Sequence, residues 1–230
     1  MKHHNGQTRE SLTPQEALQY LKEGNTRFCN SLSVNRNFLQ TITETADGQW
    51  PFTAILSCSD SRVVTELIFD QGLGDIFSIR LAGNIASQQA IASMEYTCKI
   101  LGSKLVVVLG HTGCGAVKAA CDGVEMGHLG SLTKMILPAI EAETITTTNR
   151  ISDNKEFMNN VLHNNVHHQI ETIVSESHII REMLEKHEIG IIGGIYDISK
   201  GSVEFFDEMF DLDNYIDNKT SARISGDMLC

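Results

Sequence analysis

Lys104-Leu105-Val106-Val107-Val108-Leu109 is the stretch that decides the fold. Its apolar residues run on without alternating, so the strand it predicts is buried on both faces, as in a parallel sheet. It empties into Gly110-His111-Thr112-Gly113-Cys114-Gly115, small residues that carry an imidazole and a thiol, and residues 116–121 then read as a helix.

Upstream, the apolar run 52–56 predicts another buried strand, leading into Cys58-Ser59-Asp60-Ser61-Arg62. Residues 63–69 form a short helix or turn, Gly72 and Gly74 break the chain, and 75–80 alternate enough for a strand ending in Leu81-Ala82-Gly83-Asn84. Ser87 caps a helix through Leu101, and Gly102 stops it. Downstream come a helix over 129–143 kinked near Pro138, a Thr-rich loop (144–149) and a long helical region, 155–186, broken near 175–177. A strong strand over 189–198 follows, with 203–206 as its hairpin partner. Near the start, Thr13-Pro14-Gln15-Glu16 combines a capping box with Pro at the first helical position, and Gly24 weakens the helix it opens. Residues 30–48 are polar and show no strong period.

Strands alternating with helices predict an α/β fold: three layers, α-β-α, around a mostly parallel sheet with a C-terminal antiparallel edge strand. The expected organisation is a flexible 1–12, one catalytic domain over 13–206 with an N-terminal helical arm, and an acidic tail over 207–230. At 230 residues and 41% hydrophobic, the chain can build a sizeable core. A formal net charge of -11 disfavours nucleic acid or an anionic membrane as partner, since both require clustered Lys and Arg. No apolar run reaches the roughly 18 residues of a membrane span, and no secretory h-region follows Met1. Six scattered cysteines lack the density of a disulfide scaffold, which points to reduced thiols and the cytoplasm.

Ligands of open parallel sheets bind beyond the carboxyl ends of the strands. Alone, the pentapeptide around Cys58 fits a thiol enzyme, a metal site or a capped turn, and His-x-x-Cys alone is weak. Together, Cys58, His111 and Cys114 make a three-donor zinc set that leaves the fourth tetrahedral position open, whereas structural zinc sites are closed by four ligands. One close pair with a third donor far upstream fits two adjacent strand ends better than a zinc ribbon.

Cys58-Ser59-Asp60-Ser61-Arg62 paired with Gly110-His111-Thr112-Gly113-Cys114-Gly115 resembles the zinc motifs of the beta-class carbonic anhydrases. The likeness extends through Phe69-Asp70-Gln71-Gly72-Leu73-Gly74-Asp75, Ala82-Gly83-Asn84 and Ser93-Met94-Glu95-Tyr96. It continues into 193–197 and 201–205, and so covers most of 13–206. The resemblance implies a lyase, a zinc-dependent carbonate dehydratase. One Zn²⁺ per chain, on Cys58, His111 and Cys114, would lower the pKa of a bound water and give hydroxide to attack CO₂. Two thiolates nearly cancel the metal charge, so activity should be best above neutral pH.

It further implies that Asp60, paired with Arg62, is turned away from the metal to accept a hydrogen bond from the nucleophile. Ile55 stands where members with a closed form carry a bicarbonate-binding Trp, so an open, bacterial-type site is expected. Gln49 matches a glutamine that reaches substrate from the neighbouring subunit; Phe77, Ala82 and Tyr96 match the lining of the CO₂ pocket; the Gly115 N–H matches a bicarbonate contact. A homodimer or homotetramer is implied, with the site at the subunit interface and the N-terminal helix on the partner.

Other features point elsewhere only weakly. Gly110-x4-Gly115 lacks the Lys-Ser/Thr of a phosphate loop, and no Glu follows His163 to make a metalloprotease pair with His167. Both histidines read as surface residues of a helix, able to relay protons to buffer. Cys29, Cys98 and Cys121 read as packing residues and Cys230 as an exposed thiol. The alternatives are a related zinc lyase on another small linear molecule, such as carbon disulfide, and a thiol redox protein, which no Cys-x-x-Cys supports.

Overall fold

The computed structural model describes residues 10–210 and Leu212; the expectations for residues 1–9, for most of the tail and for Cys230 fall outside them. Five strands form one sheet in the order β2-β1-β3-β4-β5: β1 Thr53–Ser57, β2 Ile76–Arg80, β3 Leu105–His111, β4 Gly190–Tyr196 and β5 Val203–Phe205. The first four pair in parallel and β5 returns antiparallel on β4 as an edge strand. Every residue of β1, β3 and β4 is buried, which is why their sequences do not alternate.

Helices cover both faces. The two described N-terminal helices are α1 (Pro14–Cys29) and α2 (Phe38–Glu44); α3 (Thr65–Ile68) follows β1, and α4 (Gln88–Tyr96) follows β2. After β3 come α5 (Gly115–Cys121), α6 (Leu129–Lys134), α7 (Leu137–Ala142), α8 (Lys155–Glu176) and α9 (His178–Glu185). Ala54, Leu56, Val106, Val108, Ile191 and Ile195 face one core, against Met94 of α4, Val117 of α5 and Phe157, Val161 and Ile173 of α8. Ile55, Leu105, Val107, Leu109 and Ile192 face the other, against Ala17 and Leu21 of α1 and Ile68 of α3. Each Val, Leu, Ile, Phe or Met among them contributes about 1.5–3 kcal/mol by burial. No helix among the described residues is long and apolar enough to cross a membrane.

The capping box of α1 forms as its sequence predicts: Thr13 N–H donates to Glu16 Oε2 at 2.8 Å and Glu16 N–H to Thr13 Oγ1 at 3.2 Å. Gly24 is not simply a weakness of that helix. The Phe69 carbonyl approaches so closely that a Cβ at Gly24 would meet its oxygen at 1.7 Å. Next to it, buried Asn25 donates to the carbonyls of Ile68 and Gly201 and accepts from Val203 N–H, tying α1 to α3 and β5.

Several expectations are corrected. Residues 38–44 are helical, capped by Asn37 through Gln40 N–H; the irregular reading fails because Phe38, Leu39 and Ile42 point outward and leave no buried-face period. The expected 129–143 helix is two helices with Met135 and Ile136 between them, so Pro138 sits at the start of α7 rather than at a kink. His111 is the last residue of β3 rather than part of the loop. Cys29 is exposed, its thiol donating to the Gly201 carbonyl at 3.2 Å; Cys98 is buried and Cys121 half-buried.

Candidate metal centre

Parallel pairing of β1 with β3 puts Ser57 opposite Leu109, so the residues that follow both strands emerge side by side. Cys58 comes from the first strand end, and His111 and Cys114 from the second. Their donor atoms all lie within 4.8 Å of one another, and all three residues are buried. The Cys58 and Cys114 sulfurs are 3.9 Å apart, close to the edge of about 3.8 Å that two sulfurs share in a tetrahedron with metal–sulfur bonds near 2.3 Å.

His111 is held for ligation. Its Nδ1 lies 3.0 Å from the Thr112 carbonyl. A carbonyl can only accept, so Nδ1 carries the proton and the lone pair is left on Nε2, a common arrangement for metal-binding imidazoles. That Nε2 is buried and has no hydrogen-bond partner, which in a protein interior calls for an explanation such as an ion. Thr112 is fixed in turn: its N–H donates to the Tyr196 carbonyl at 2.9 Å and its hydroxyl accepts from Ile198 N–H at 3.2 Å.

The two thiols are pushed in opposite directions by their closeness. Cys58 is held far below the usual thiol range, first by the hydrogen bond from Cys114, with burial opposing and Gly83 N–H and Asp60 N–H assisting. Cys114 is pushed up by Cys58 and by burial, although the Val117 and Ala116 amides favour its charged form. A divalent cation on the three donors removes that conflict, because it stabilises both thiolates at once.

Asp60 points to Arg62. Arg62 donates from its backbone N–H and Nε to Oδ1 at 3.0 and 2.9 Å and from Nη2 to Oδ2 at 2.7 Å. This guanidinium holds the Asp60 carboxyl well below the usual carboxylate range. Sequence reasoning missed Arg80, whose Nη2 donates to the Asp60 carbonyl at 2.7 Å and whose Nε reaches the Cys58 carbonyl at 3.4 Å. It ends β2 in register with Ser57, and a charged residue at the carboxyl end of a strand was the available signal.

Not all the other expected residues are beside this centre in the single chain. Ala82 is half-buried in the turn Ala82–Asn84, whose Gly83 N–H donates to Cys58 Sγ at 3.4 Å. Gly115 opens α5, exposed, with open space where a Cβ would sit. Phe77 and Tyr96 meet with ring centroids 6.1 Å apart, and Tyr96 is 48% exposed. Gln49 is exposed and precedes β1, whereas Cys58 follows it. A five-residue strand spans about 17 Å, so Gln49 sits across the sheet from the centre of its own chain.

A family model described as carbonic anhydrase matches residues 53–203. "Carbonic anhydrase 2" of Mycobacterium tuberculosis is 32% identical over 196 residues, covering 82% of this chain and 90% of that protein. Among solved structures, the beta-carbonic anhydrase CafA of Aspergillus fumigatus superposes with a TM-score of 0.70 at 24% identity, over 90% of this chain and 97% of that one. A chain from work on two tetrameric beta-carbonic anhydrases of Sordaria macrospora gives 0.65 at 24% identity, over 85% of this chain and all of that one.

Proposed function

The chain belongs to the carbonic anhydrase family and has the beta-class fold, and from that premise we propose that it is a zinc-dependent carbonate dehydratase interconverting CO₂ and bicarbonate. The observation that carries the proposal is the buried donor set of Cys58, His111 and Cys114, with His111 Nε2 unpartnered and facing no competing hydrogen bond. These three side chains would hold the ion. When bound, zinc supplies a Lewis acid that makes water reactive near neutral pH.

The chain's own residues do the rest. Arg62 donates to both carboxylate oxygens of Asp60, so Asp60 would not compete with the three donors for the ion. Asp60 remains ionised and accepts a hydrogen bond from the attacking oxygen, orienting its lone pair toward carbon. The Gly115 N–H, at the exposed first turn of α5, donates to the product carboxylate. Phe77, Ala82 and Tyr96 offer apolar surface for CO₂ and exclude water beside the reacting carbon.

The pocket is completed by a second copy. Tyr96 is half-exposed in one chain, Gln49 is across the sheet from its own centre, and α2 presents Phe38, Leu39 and Ile42 outward at 51%, 79% and 55% exposure. These features, with a structural relative described as tetrameric, support a homodimer or homotetramer in which Gln49 serves the neighbouring site. The free thiols support a reducing, cytoplasmic setting.

Chelation and reloading test the reading. Purified protein should hold about one zinc per chain, lose CO₂ hydration when a chelator removes it, and regain the activity when zinc is returned. Undiminished hydration by the metal-free protein would refute it. Assay of carbon disulfide on the same samples separates the related lyase reading.

A further inference from the structure

Two amides lie in the middle of α8 where an apolar side chain would be expected. Asn165 and Gln169 are each 1% exposed and one helical turn apart. Their bonds converge on one loop. Asn165 Nδ2 donates to the Gly83 carbonyl at 3.0 Å, and Ala86 N–H donates to Gln169 Oε1 at 2.8 Å. Gln169 Nε2 links the pair by donating to Asn165 Oδ1 at 3.0 Å, and it also reaches the Met135 carbonyl at 3.3 Å. The segment they brace is the one whose Gly83 N–H lies on the Cys58 sulfur at 3.4 Å.

Gly83 has little freedom of its own there. It sits at φ +72, and a Cβ would meet Ile136 Cδ1 at 2.9 Å and Ala116 Cβ at 3.3 Å. Gly83 is therefore confined by apolar packing, and Asn165 fixes the peptide that follows it through the Gly83 carbonyl, next to the preceding peptide whose N–H lies on the sulfur. Burying two primary amides costs free energy unless each is satisfied. In this core one bond from each amide goes to the loop beside the metal donors, and one more from Gln169 ties it to Met135.

We propose that Asn165 and Gln169 are positioning residues for the metal centre, holding the Gly83 N–H on Cys58 Sγ so that this sulfur is oriented for the ion and gives up part of its charge to the hydrogen bond. The inference rests on the zinc reading above. A hydrogen bond to a ligating sulfur draws electron density from it, so the sulfur donates less to the ion and the ion stays more acidic. A pre-placed sulfur also spares the ion the work of ordering it. Groups of this kind typically change metal affinity or activity by 10- to 100-fold when removed.

The test uses the full chain loaded with cobalt(II) or with ¹¹³Cd, alongside Asn165→Leu and Gln169→Leu, which keep volume and remove the amides. In the wild type loaded with ¹¹³Cd, the Gly83 amide proton should show scalar coupling to cadmium through the Cys58 sulfur. In either variant that folds by circular dichroism, metal affinity measured against a chromophoric chelator should fall 10-fold or more. The thiolate-to-cobalt absorption band should shift, and the pH–rate profile should move to higher pH. Cadmium on the three donors without coupling to Gly83 overturns the proposal, whether or not the variants fold. A folded Asn165→Leu with unchanged affinity and an unchanged cobalt band does so equally. If the wild type binds no metal at Cys58, His111 and Cys114, the zinc reading itself has failed, an outcome that the chelator titration reads separately.

Discussion

At the scale of single residues, the centre depends on which lone pairs are left free. The Thr112 carbonyl accepts from His111 Nδ1–H and so leaves the Nε2 lone pair free, and Arg62 donates to both oxygens of Asp60. Arg62→Ala should therefore keep its metal but lower CO₂ hydration about 100-fold, a typical loss when a preorganised polar contact is removed. Zinc analysis beside stopped-flow hydration checks this, and wild-type turnover in the variant would show that Asp60 needs no partner. Ser57 Oγ and Asn84 Nδ2 are also buried without a partner, and nothing in the structure explains either.

At the scale of elements, close approach decides more than propensity does. Gly24→Ala leaves an intrinsically better helix, yet the Phe69 carbonyl occupies the place of the new methyl group. It should destabilise the protein by about 1–3 kcal/mol or more, as overpacking does, despite a propensity gain of roughly 1 kcal/mol. Denaturant unfolding reads the sign, and a stabilised variant would contradict the packing.

What the sequence disclosed follows the same division. The β3 run, the Thr13 cap, the break at Ser177 and the β4–β5 hairpin were legible because each has a local cause. The donor set was legible because parallel pairing of β1 and β3 brings their carboxyl ends together. Helix α2 was not, since its apolar residues face outward. Nor were Arg80, Asn165 and Gln169, whose partners are backbone atoms distant in sequence and whose side chains carry no motif.

At the scale of the whole molecule, one buried carboxylate fastens the N-terminal region to the sheet. Asp70, at φ 45, accepts from Arg27 Nε and Arg36 Nη1 at 2.5 Å each and from Val34 N–H at 3.2 Å. Burial raises its pKa, but these donors outweigh burial and leave it below the usual carboxylate range. A depressed carboxylate contributes stability that is present above its unfolded pKa, near 4, and is lost as pH falls below that value. Wild-type melting temperature should therefore drop as pH falls below about 4. Asp70→Asn should melt lower at neutral pH, with a loss of about 3–5 kcal/mol of stability for a broken buried pair, and with a flatter acid limb. Parallel melting curves for the two proteins from neutral to acid pH would exclude Asp70 as the fastening.

If Cys58, His111 and Cys114 hold the ion needed for CO₂ hydration, removing one donor abolishes both. The most direct measurement is CO₂ hydration by wild type and Cys58→Ser, with zinc content determined on both samples. About one zinc per chain is expected in the wild type and, in Cys58→Ser, loss of metal together with hydration. Equal activity in the two proteins would contradict this role of the three donors.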